Sequence, residues 1–158
     1  GWDEKLELLA DERVPVVSVT FGCPSGPAVE ALHDAGCALW VTVTTPAEAA
    51  AAEAAGADVL VVQGVEAGGH RGSFDEAAPG DVGLLGLLQL VHSATALALL
   101  ATGGIATGRG VAATTDDHNR SRKRRAPEIP ASRKSPPSSN GPRNIRYVRN
   151  ESAPHCTM

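Results

Sequence analysis

Three runs of mostly β-branched and aliphatic residues, Val14–Thr20, Ala38–Val43 and Val59–Gln63, begin about 20–25 residues apart, and no other feature constrains the fold as tightly. None alternates apolar with polar residues, as a strand with one wet face would. Continuous apolar strands are covered on both faces, which is the situation in a parallel sheet. Helical segments separate them. Leu6–Leu9 reads as the end of a helix broken at residues 11–13, and Ala28–Ala35 has helical periodicity with Gly36 after it. In Thr45-Pro46-Ala47-Glu48 the threonine oxygen can accept from an orphan amide and proline suits the first helical position. The glutamate there is expected to reach back to the cap's own amide. That helix runs through alanines to Ala55 and stops at Gly56, while Leu84–Ser93 reads as a further helix and Leu97–Thr102 as a fourth strand. The order βαβαβ–loop–αβ requires a parallel sheet with right-handed crossovers. Its spacing is short for a dinucleotide-binding unit and suits the repeats of a (β/α) barrel.

Two glycine-rich loops follow strands. In such folds chemistry sits at the strand C-terminal ends. Val61-Val62-Gln63 opens into Gly64-Val65-Glu66-Ala67-Gly68-Gly69-His70-Arg71-Gly72, four glycines in nine residues with one Glu, one His and one Arg. Glycine lets backbone approach a ligand closely, and a histidine on such a loop can take or give a proton near neutrality. A loop histidine that bonds only backbone or solvent fits the residues equally. Gln63 ends its strand and can cap loop amides. Glu66 can orient the loop through backbone amides or simply be solvated, and Arg71 can pair with Glu66 or another loop acid. The second loop, Thr102-Gly103-Gly104-Ile105-Ala106-Thr107-Gly108-Arg109-Gly110, has Thr107 as N-cap of a helix starting at Gly108. Free amides in that setting suit a phosphate. The Gly103 to Gly108 spacing is superficially that of a P-loop, but Arg109-Gly110 stands where Lys-Ser/Thr is required, which excludes nucleotide-triphosphate binding.

The chain has 158 residues, enough for one domain with a core and fewer than the roughly 250 of a closed (β/α)8 barrel. Charge divides it: residues 1–113 carry four basic and fourteen acidic side chains, residues 114–158 ten basic and four acidic. From residue 114 the strand–helix pattern stops and Arg, Ser, Pro and Asn dominate, so 114–158 is expected to be a disordered tail. Its basic run 119–125 could bind nucleic acid, but Tyr147 is the tail's only aromatic residue, so nucleic acid is an unlikely partner and solvated disorder is the expectation. Cys23, Cys37 and Cys156 form no metal or redox spacing, so no metal site is expected and a reducing cytoplasm fits. Cys23 reads as a small buried residue before a reactive thiol. No membrane span or signal peptide is apparent. The opening Gly1-Trp2-Asp3 lacks an initiator Met, as an internal piece of a longer protein or a processed N-terminus would.

Gln63-Gly64 followed by Glu66-Ala67-Gly68-Gly69-His70-Arg71-Gly72 resembles the signature of the nitronate monooxygenase (2-nitropropane dioxygenase-like) flavoproteins, with the Gly103-Gly104 motif in the right order after it. FMN-dependent enoyl-acyl-carrier-protein reductases of the same superfamily carry a close variant. The resemblance covers roughly residues 5–113 and implies a partial TIM-barrel domain over 1–113 with about four parallel strands. It ends at Val111-Ala112-Ala113, where the compositional break is what a shifted reading frame or mis-joined segment would produce. The resemblance implies FMN as cofactor, with Gln63, Gly68 and Gly69 at the flavin and Gly103 and Gly104 at its phosphate. It makes His70 the catalytic base or substrate-positioning group. The implied reaction oxidises a nitronate or nitroalkane with O2 to a carbonyl compound and nitrite, FMN accepting the electrons. Two other readings remain open: the enoyl reductase, and a non-enzymatic fragment or binding module acting through the basic tail.

Overall fold

The computed structural model describes residues 1–115 and 146–149. In chain order the elements are α1 (Trp2–Asp11), β1 (Val16–Thr20), α2 (Gly26–Asp34), β2 (Ala38–Val43), α3 (Pro46–Ala54), β3 (Val59–Gln63), α4 (Leu84–Ala94), β4 (Ala98–Thr102), α5 (Gly108–Thr114) and β5 (Arg146–Arg149). The five strands form one sheet in the order β4-β3-β2-β1-β5, and every neighbouring pair is parallel. Parallel neighbours need a crossover, and α2, α3 and α4 supply one between each successive pair from β1 to β4.

The core lies between the helices and one face of this sheet. Val17 and Val19 of β1, Leu39, Val41 and Val43 of β2, and Leu60 and Val62 of β3 are completely buried there. Leu6 and Leu9 of α1, Val29 and Leu32 of α2, Ala49 and Ala52 of α3, and Leu84, Leu87 and Val91 of α4 belong to the same cluster. Each fully buried Val or Leu removes enough apolar surface from water to contribute about 1.5–3 kcal/mol. The alanine-rich face of α3 lets that helix lie close to the sheet, since an alanine side chain ends at Cβ.

The opposite face is covered unevenly. In register across it run Thr20, Thr42, Val61 and Leu100, with Ser18, Trp40, Val59 and Ala98 in the row below. Ser18 and Thr42 are buried, Trp40, Val59 and Val61 are half-buried, and Leu100 is 44% exposed. A closed barrel fills this side with layers of side chains from all its strands. Here β4 lies at one edge of the sheet.

The expected tail needs a correction at one place. Residues 146–149, within the stretch expected to be disordered, form β5 and pair with β1 from Val17↔Arg146 to Thr20↔Arg149. The outer edge of β1 offers a row of backbone donors and acceptors, and Tyr147 and Val148 are residue types that favour an extended backbone. A four-residue strand of this kind leaves no periodic signal among Arg and Asn. Residues 116–145 and 150–158, including the basic run, His118, His155 and Cys156, lie outside the described residues. Among the described residues, no helix is long and apolar enough to cross a membrane.

A candidate active site at the strand C-termini

The C-terminal ends of β1 to β4 open on one end of the sheet, and the long segment 64–83 between β3 and α4 folds back across them. Its path is fixed by backbone contacts that only small residues allow. A Cβ on Gly72 would lie 2.9 Å from the methyls of both Thr20 and Thr42, so glycine is needed for the loop to rest on β1 and β2. Beneath it the hydroxyls of Thr20 and Thr42 share a hydrogen bond of 3.1 Å.

Gln63, the last residue of β3, spends its amide on this loop. Its Oε1 accepts from Gly72 N at 2.8 Å and its Nε2 donates to His70 O at 3.3 Å. A primary amide has two N–H donors and two lone pairs, so one of each remains. Of the partners open to Arg71, the structure gives it backbone carbonyls rather than a loop acid. Nε and Nη2 donate to Gly80 O at 3.1 and 2.7 Å, while Nη1 donates to Gln63 O at 3.0 Å and to Gly64 O. The guanidinium therefore ties the two limbs of the loop together. Glu66, read as a loop-orienting residue, accepts from Leu84 N with both carboxylate oxygens at 3.1 and 2.9 Å. It caps α4, where the helix dipole favours a negative charge.

The loop's tip is left facing outward. Gly68, Gly69 and His70 are exposed, and a Cβ on Gly68 or Gly69 would meet nothing within 4 Å. The His70 ring stands edge-on to Phe21, 6.3 Å between centroids with 85° between the planes. Phe21 follows β1 directly and has φ +71, a left-handed backbone that a bulky residue rarely takes. Such strain costs about 1–3 kcal/mol and gathers at functional sites. Nothing in the sequence signalled it, although Gly22 behind it marks a tight turn.

The β4 loop joins the same corner. Gly103, at φ +93, packs so closely on Ala67 that an added Cβ would lie 2.7 Å from the Ala67 Cβ. Gly104 meets Glu66 in the same way at 2.8 Å. The two glycine loops that looked independent in sequence thus pack directly on one another. Thr107 caps α5 as expected, its hydroxyl accepting from Gly110 N at 3.1 Å. The structure brings Gln63, His70 and Gly72 into one bonded unit, and joins Gly103 and Gly104 to it through Glu66 and Ala67.

Glu48 also departs from expectation. Thr45 caps α3 by accepting from Glu48 N at 3.1 Å, as read from the sequence. The glutamate does not return to the Thr45 amide. Its Oε2 accepts from Thr44 N at 2.6 Å and Thr44 Oγ1 at 2.8 Å, and its Oε1 accepts from Phe74 N at 2.8 Å.

Cys23, in the loop after β1, is half-buried. Burial pushes its thiol up to about 11 from 9.0, with the Glu48 carboxylate adding to the effect. Burial also raises the Cys37 thiol. Since only thiolate reacts, at pH 8 Cys23 should be alkylated by iodoacetamide about a hundredfold more slowly than an unshifted thiol, followed by mass spectrometry of its peptide. Labelling at the ordinary rate would show that Cys23 is not held in this environment.

The exposed Gly68-Gly69 tip, with His70 beside it, and the Gly103-Gly104 loop that packs on Ala67 and Glu66 lie at the same end of the sheet. A parallel β/α sheet that gathers these groups at its strand C-termini defines a segment of a (β/α)8 barrel carrying a candidate active site. Residues 1–116 match the family model described as nitronate monooxygenase. The chain belongs to the nitronate monooxygenase family. It is 46% identical over 112 residues to the nitronate monooxygenase of Pseudomonas aeruginosa, covering 70% of this chain and 32% of that protein. Over 116 residues it is 40% identical to a probable nitronate monooxygenase of Bacillus subtilis, covering 71% and 33%. Among solved structures it resembles nitroalkane oxidase from Streptomyces ansochromogenes, with a TM-score of 0.65 and 45% identity over 72% of this chain and 35% of that one. It also resembles FabK from Thermotoga maritima, with a TM-score of 0.59 and 32% identity over 71% and 33%. The chain thus spans about a third of the length of these relatives.

Proposed function

We propose that this chain carries part of the active site of an FMN-dependent nitronate monooxygenase, which oxidises a nitronate or nitroalkane with O2 to a carbonyl compound and nitrite. The observation that supports it most is the exposed Gly68-Gly69-His70 tip, held through the His70 carbonyl and the Gly72 amide by Gln63. The open space beside Gly68 and Gly69 leaves room for a flat ring system against the backbone. Gln63 has one N–H and one lone pair left for that ring's polar edge. Gly103 and Gly104 lie on the β4 side, where we place the phosphate end of the cofactor. When bound, FMN supplies the electron acceptor. His70 takes the proton from the carbon bearing the nitro group, or donates an N–H to a nitronate oxygen once that carbon is deprotonated. Cys23 and Cys37 carry free thiols, and we assign the protein to the reducing cytoplasm.

A second reading, the FMN-dependent enoyl reductase, draws on the likeness to FabK. One assay separates the two. The full chain is incubated in air with millimolar FMN and an alkyl nitronate, and in parallel with FMN, NADH and a crotonyl thioester. Nitrite above an FMN-only blank, formed far more slowly than by a full-length enzyme because the chain is truncated, is the expected result. NADH oxidation dependent on the thioester, without nitrite, would replace this reading with the second, and neither product would contradict both.

A further inference from the structure

The Glu48 carboxylate is buried, with 8% of the residue exposed, and the bonds it accepts exceed what capping a helix requires. Thr45 already serves the α3 N-terminus. The position in the first turn of α3 suits a negative charge, and the two Thr44 donors occupy one oxygen. The other oxygen reaches a backbone amide 26 residues further along, that of Phe74. Phe74 lies four residues after His70 on the loop that crosses the strand ends. The same turn holds that loop at a second point, because a Cβ on Gly80 would meet the Thr44 carbonyl oxygen and lie 2.8 Å from Thr45 Cγ2. Burying a carboxylate is costly unless its oxygens are well satisfied, and here all three donors come from backbone or hydroxyl groups of two segments.

We propose that Glu48 is a positioning residue for His70: its carboxylate locks the far limb of the His70 loop to the β2–α3 turn. Gln63 and Arg71 fix the near part of the loop at the end of β3, and Glu48 fixes it from the first turn of α3. The tip that presents His70 is then clamped from the end of β3 and from the start of α3. This role rests on reading His70 as the group that handles the proton.

The chemistry of the carboxylate suggests the test. An amide in its place has one acceptor oxygen. In Glu48→Gln that oxygen goes to the two Thr44 donors, leaving the Phe74 amide facing an NH2 group. Thr44→Val removes a donor on the turn side and leaves the Phe74 bond alone. Both variants of the full chain are compared with the parent by amide hydrogen exchange and by NMR of the His70 ring, with no flavin or substrate present. Glu48→Gln should speed exchange at Phe74 by about a hundredfold and shift the His70 ring signals, whereas Thr44→Val should change neither. Unchanged exchange at Phe74 and unchanged His70 signals in Glu48→Gln would overturn the proposal. So would equal changes in Thr44→Val, which would mean that Glu48 only stabilises the turn. A chain that releases no nitrite would count against the functional reading and leave this exchange result standing.

Discussion

Replacing His70 by alanine in a complete enzyme of this family is expected to lower turnover of a nitronate by about 10²–10⁴-fold while FMN stays bound, the usual contribution of a positioned acid–base group. The loop should survive the change. What holds residue 70 is its backbone carbonyl, which accepts from Gln63 Nε2, and alanine keeps that carbonyl. Arg71 and Glu66 likewise act on backbone groups, those of Gln63, Gly80 and Leu84. The lost part is an exposed imidazole beside Phe21. Steady-state kinetics with a flavin absorbance spectrum on the same sample check this. Unchanged turnover would remove His70 from the chemistry, and loss of flavin alone would make it a cofactor ligand.

The second large effect concerns affinity. The 158-residue chain is expected to bind FMN orders of magnitude more weakly than the full-length relatives, of which it spans about a third. A ligand of this size is normally buried over about 70–90% of its surface. The residues proposed to contact it, Gln63, Gly68, Gly69, Gly103 and Gly104, belong to two neighbouring strands, β3 and β4, and the loops that follow them. The sheet face that a barrel would enclose leaves Leu100 44% exposed. Each charge-assisted hydrogen bond not made forfeits about 1.5–3 kcal/mol, and every 1.4 kcal/mol is about tenfold in affinity. Flavin fluorescence during titration should show no saturation at low micromolar concentration. Stoichiometric binding there by a monomer would show that β3 and β4 suffice.

What could be read from the sequence was local. The apolar runs at 38–43 and 59–63 became β2 and β3 with the same bounds, and Thr45 and Thr107 cap the helices expected of them. Hydrophobic continuity and capping depend on neighbours within a few residues, so a single chain displays them. The rest depends on partners far along the chain. Glu48 looked like an ordinary third residue of a capped helix, because the amide that takes its other oxygen is at Phe74. Arg71 looked like half of an ion pair, because three carbonyls at 63, 64 and 80 converge on it only after the loop has folded. The backbone of Phe21 and the pairing of β5 with β1 have the same origin: both are set by a tertiary edge or contact with no periodic trace. The candidate site was therefore legible as a set of residues, Gln63 to Gly72 and Gly103-Gly104, and not as a mechanism for holding them.

On the proposed function these two glycine loops form one flavin-binding corner. Amide NMR of the isotopically labelled chain, titrated with FMN to millimolar concentration, tests it even where binding is weak. Chemical-shift changes are expected to concentrate at Gln63, Gly68 to Gly72 and Gly103-Gly104, with the amides of α1 to α3 unmoved. Shifts spread over the helices, or none at all at millimolar FMN, would contradict it.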